Sequence, residues 1–120
     1  MTVKPDIQHL DLPRKISEVE HLYGSSVHIL SDPVMAAYLA RLCSRETIQP
    51  QINSLVRKLY QQMILVVARV EFPRVLTRVD TRMKEQTERG VWQGEVVDPS
   101  TPVVVASMAR AGILPGQTCF

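Results

Sequence analysis

The fold is decided by Pro102-Val103-Val104-Val105-Ala106-Ser107-Met108-Ala109-Arg110-Ala111-Gly112-Ile113-Leu114-Pro115-Gly116-Gln117. Three consecutive β-branched residues bounded by turn formers predict a strand covered on both faces, as in a parallel sheet. Small residues and one guanidinium follow, and Ile113 to Gln117 would open a helix. Strand, turn and helix in that order predict an α/β fold. In open α/β sheets ligands bind at the carboxyl ends of strands, so the turn is the place to look for chemistry. Arg110 brings a permanently charged planar fork that suits phosphate oxygens. Ala111 and Gly112 allow a ligand close to the backbone. The same pattern also suits a surface arginine at a strand end, because one Arg in such a turn is a weak motif.

Immediately before this stretch lies a segment of different periodicity. Val75, Thr77, Val79 and Thr81 alternate with Leu76, Arg78, Asp80 and Arg82, which predicts an exposed strand. Lys84 to Arg89 is charged, and Gly90 and Gly94 bracket Val91-Trp92-Gln93. The expectation is a hairpin arm with polar faces, closed by the turn Asp98-Pro99-Ser100.

Two helices precede the arm. Asp32 is a good N-cap and Pro33 suits the first turn, so a short helix is expected there, with Val34, Tyr38 and Leu42 in steps of four. A longer amphipathic helix is expected over 48–67, capped by Thr47 or Ser44. It carries Ile48, Ile52, Leu55, Val56, Leu59, Met63 and Val66 on one stripe. Such a stripe needs a partner surface. Residues 1–26 read as an N-terminal extension with Pro5, Pro13 and Gly24-Ser25-Ser26, and 27–120 as one domain.

The 120 residues are enough for one domain and too few for two. Hydrophobic residues at 45% and charged residues at 22% match an ordinary globular chain, and one Trp, three Tyr and two Phe leave the core to aliphatic side chains. A net charge of +2 with dispersed basic residues argues against a nucleic-acid binder. No apolar run is long enough to span a bilayer, and Met1 to Pro13 lacks the apolar core of a signal peptide. Cys43 and Cys119 make no disulfide framework, and free thiols lead to the expectation of a cytoplasmic protein. His9, His21 and His28 show no metal-ligand spacing, nothing near Cys119 marks it as a nucleophile, and no Walker-type loop is present.

Taken in order, these parts resemble the N-terminal part of a uracil phosphoribosyltransferase. The resemblance rests on Leu30-Ser31-Asp32-Pro33, the helix with Leu39 and Arg41, the long helix, the Val75 to Val97 arm, and Val103 to Gly112 continuing into Ile113 to Gln117. Only the Arg-Ala-Gly triplet is locally distinctive, and Met108-Ala109 stands where the family usually has Ile-Leu. The resemblance implies the first strand of a phosphoribosyltransferase-type parallel sheet, incomplete in these residues. It implies an enzyme of pyrimidine salvage that makes uridine monophosphate and pyrophosphate from uracil and phosphoribosyl pyrophosphate. Arg110, Ala111 and Gly112 then contact the donor phosphates, magnesium accompanies the donor without ligands from these residues, and the chain forms a dimer. The acidic, glycine-rich loop for the donor's 5′-phosphate and the hood that recognises uracil would lie beyond Phe120. The 120 residues alone are therefore expected to be inactive. The alternative is an inactive relative that serves as a dimerising or regulatory module.

Overall fold

The computed structural model describes residues 12–120. It is a mixed α/β chain with three helices and a two-stranded antiparallel sheet: α1 (Pro33–Cys43), α2 (Gln51–Glu71), β1 (Arg74–Asp80), β2 (Val91–Val97) and α3 (Ile113–Cys119). The chain divides into two units. One holds Glu71–Thr101 with described residues 12–14, and the other holds Lys15–Val70 with Pro102–Phe120. Residues 1–11 of the expected N-terminal extension lie outside the described residues.

In the helical unit α1 begins where the sequence places it. The Asp32 carboxylate accepts from the backbone N–H groups of Val34 at 2.8 Å and Met35 at 3.1 Å, and Pro33 occupies the first turn. Two donors that no helical carbonyl can reach are thereby satisfied. The covered side of α1 runs through Met35, Tyr38 and Leu42, all half-buried, while Val34 faces outward. Lys58 of α2 sets its ammonium 5.3 Å from the Tyr38 ring centroid, a cation–π contact between the helices.

The start of α2 corrects the expected one. Neither Thr47 nor Ser44 caps it: the Thr47 hydroxyl donates to the Arg41 carbonyl at the end of α1, and Ser44 accepts from the Glu46 N–H. The helix begins at Gln51 because Ile48 supplies the first carbonyl, accepting from Gln51 and Ile52, and Pro50 has no N–H to offer. Leu55 anchors its apolar stripe and is the one buried hydrophobic side chain among the described residues, at 5% exposure.

Part of the extension is ordered against this unit. Glu18 and Leu30 form an antiparallel bridge, with Val19 N–H donating to Ile29 and Ser31 N–H to Ser17. His21 donates from Nε2 to the Val27 carbonyl and accepts from Tyr23 N–H at Nδ1. That pair of bonds makes Nε2 the donor and Nδ1 the acceptor of the ring.

In the other unit β1 and β2 pair in register, Arg74 opposite Val97 and Asp80 opposite Val91. The expectation of two polar faces is corrected here. Strand alternation gathers Val75, Val79, Trp92 and Val96 on one face, while the other mixes Arg74, Arg78, Asp80, Gln93 and Glu95 with Leu76, Val91 and Val97. The connecting loop is tight. Thr81 donates through both its N–H and its hydroxyl to the Gly90 carbonyl, and a Cβ at position 90 would sit 2.3 Å from the Lys84 nitrogen. Only glycine fits at that approach. Arg74 ties the arm down: its side chain, 8% exposed, donates to the Leu12 and Pro13 carbonyls and to Glu95.

A further correction to the fold concerns residues 102–106. They form no strand, and among the described residues no backbone hydrogen bond reaches them. Val104 is 92% exposed and Val103 half exposed. A parallel strand exists only through the neighbours that pair its N–H and C=O groups, and the described residues place none beside it. A β-branched run states a preference for extended backbone; pairing requires a second segment.

Candidate functional site

The loop that the sequence singles out runs from Ala106 into α3, and its shape comes from close packing of small residues. Gly112 N–H donates to the Met108 carbonyl at 2.7 Å, and Ile113 N–H to the Arg110 carbonyl at 3.1 Å. These two bonds wrap the segment 108–113 into successive turns. A Cβ at position 112 would lie 2.6 Å from the Met108 carbonyl oxygen and 2.8 Å from its nitrogen. Both obstacles are backbone, so the turn cannot relax around a side chain there. Gly112 is needed for that approach, and its backbone is an ordinary αR conformation.

A second close approach seats α3. A Cβ at Gly116 would fall 1.9 Å from the Ser107 hydroxyl oxygen. Val105, Ser107, Ile113, Gly116, Gln117 and Phe120 together line an open, mainly apolar hollow of about 360 Å³. The Ser107–Gly116 contact escaped the sequence reading, which treated Gly116 only as part of a helix start. The signal available was a glycine inside a helical segment, which usually has a packing reason.

Arg110 is exposed, as is Ala111, while Gly112 is half-buried. The Arg110 guanidinium makes no hydrogen bond or ion pair among the described residues. By contrast Arg74 is engaged on three sides, as set out above. All five guanidinium donors of Arg110 are thus open to an incoming anion, and the planar fork can take two oxygens of one phosphate at once. The three residues expected to act together are contiguous in one turn, so the structure brings them together by chain connectivity.

Other candidates from the sequence do not assemble into a site. His28 pairs with Glu18 and His21 with backbone groups, and Cys43 and Cys119 are free thiols. His9 lies outside the described residues. Glu71, at the end of α2, makes no ion pair among the described residues. No group of three or more His, Cys, Asp or Glu among the described residues could hold a metal ion. No described helix is long and apolar enough to cross a membrane. No family model matches the chain, and neither does any curated protein or solved structure.

Proposed function

We propose that this chain is the N-terminal part of a uracil phosphoribosyltransferase and that Arg110 binds the phosphates of phosphoribosyl pyrophosphate. The observation that carries the reading is the exposed Arg110 guanidinium, without a partner among the described residues, on a turn whose shape is set by Gly112. The element order supports it: helix, helix, antiparallel arm, Arg-Ala-Gly turn, helix. The reaction joins uracil to the ribose and releases pyrophosphate. The sugar gains positive character as the bond to pyrophosphate breaks, and negative charge grows on the departing oxygens. Arg110 holds and neutralises that charge, and Ala111 and Gly112 keep the backbone close enough for the oxygens to reach it. The protein acts in the cytoplasm, on small molecules, without nucleic acid or membrane. Among the described residues no group of three or more His, Cys, Asp or Glu could hold a magnesium ion. Nor do the 120 residues contain an acidic, glycine-rich loop for the donor's 5′-phosphate.

The test is kinetic. The 120-residue chain is expected to release no pyrophosphate from donor and uracil above a no-enzyme control. In a longer chain that carries the 5′-phosphate loop, Arg110→Ala should raise KM for the donor about ten- to a hundred-fold and leave that for uracil little changed. That range corresponds to about 1.5–3 kcal/mol for a charge-assisted bond. Arg110→Lys should recover part of the loss, since an ammonium keeps the charge without the fork. Turnover by the short chain, or an unchanged donor KM in a folded Arg110→Ala enzyme, would overturn the proposal.

A second reading, a dimerising or regulatory module without activity, draws on the exposed apolar side chains Ile48, Leu65 and Val67 of the helical unit and Val104 in the 102–106 segment. Exposed apolar surface on that scale favours association.

A further inference from the structure

We draw no further inference here: the strongest candidate, the apolar groove in the helical unit between α1, α2 and the 28–33 segment, lined by Leu39, Leu59 and Met63 among others, carries nothing because nothing in the structure shows what covers it.

Discussion

Single atoms decide the shape of two turns among the described residues. At Gly112 and Gly90 backbone atoms of Met108 and Lys84 occupy the space of a Cβ, so a methyl group at either position must move main chain. The turn at Asp98 is held differently, by charge. The Asp98 carboxylate accepts from the Ser100 hydroxyl at 2.7 Å and from its N–H at 2.9 Å. The Ser100 hydroxyl first, and its backbone N–H second, hold the carboxyl below its ordinary 3.8. A carboxyl whose folded value is depressed contributes stability above its unfolded value and loses it as the pH falls through the folded one. The turn should therefore keep its hydrogen bonds at neutral pH and release them only in acid below 3.8. A carbon-detected NMR titration of Asp98 checks this. A midpoint at or above the ordinary value would show that Ser100 does not engage the carboxylate.

Among the elements, α1 was the most legible from sequence, because its start is written locally. Asp32 and Pro33 fix it without help from the rest of the chain. Asp32→Ala should lower the stability of the helical unit by about 0.5–2 kcal/mol, the usual cost of a lost N-cap. Asp32→Ser should restore most of it. Urea melts followed by the helical circular dichroism signal give the comparison, and an unchanged midpoint for Asp32→Ala would mean the cap adds nothing. The start of α2 was less legible because Ser44 and Thr47 can serve either helix, and both hydroxyls turn to α1's end or to their own turn. The apolar face of the arm was hidden because register decides it: Val75 and Val79 share a face with Trp92 and Val96 only once β1 and β2 pair. The strand over Val103 to Val105 was misread for the same reason in reverse. Its residues favour extended backbone, and the pairing that makes a strand is not a local property. At the candidate site Arg110, Ala111 and Gly112 could be named from the sequence, whereas the contact between Ser107 and Gly116 could not, since it joins residues on either side of the turn.

Across the described residues, apolar surface is plentiful and buried core is scarce. Leu55 alone among the described hydrophobic residues is buried, while Val104, Ile48 and Leu65 stand more than half exposed. Such faces bring copies together in water. Light scattering at increasing concentration should show the 120-residue chain as dimers or larger species. A monodisperse monomer at all concentrations would contradict that expectation. The proposed contact of Arg110 with the donor phosphates can be tested on the 120-residue chain itself. One charge-assisted contact by itself binds no tighter than about the millimolar range. Isotope-labelled chain should be titrated with pyrophosphate to roughly tens of millimolar at constant ionic strength, with backbone amide shifts followed by NMR. Progressive, concentration-dependent shifts confined to the amides from Met108 to Gly112 are expected, lost in Arg110→Ala and partly kept in Arg110→Lys. Shifts that are absent there, or that persist unchanged in Arg110→Ala, would contradict it.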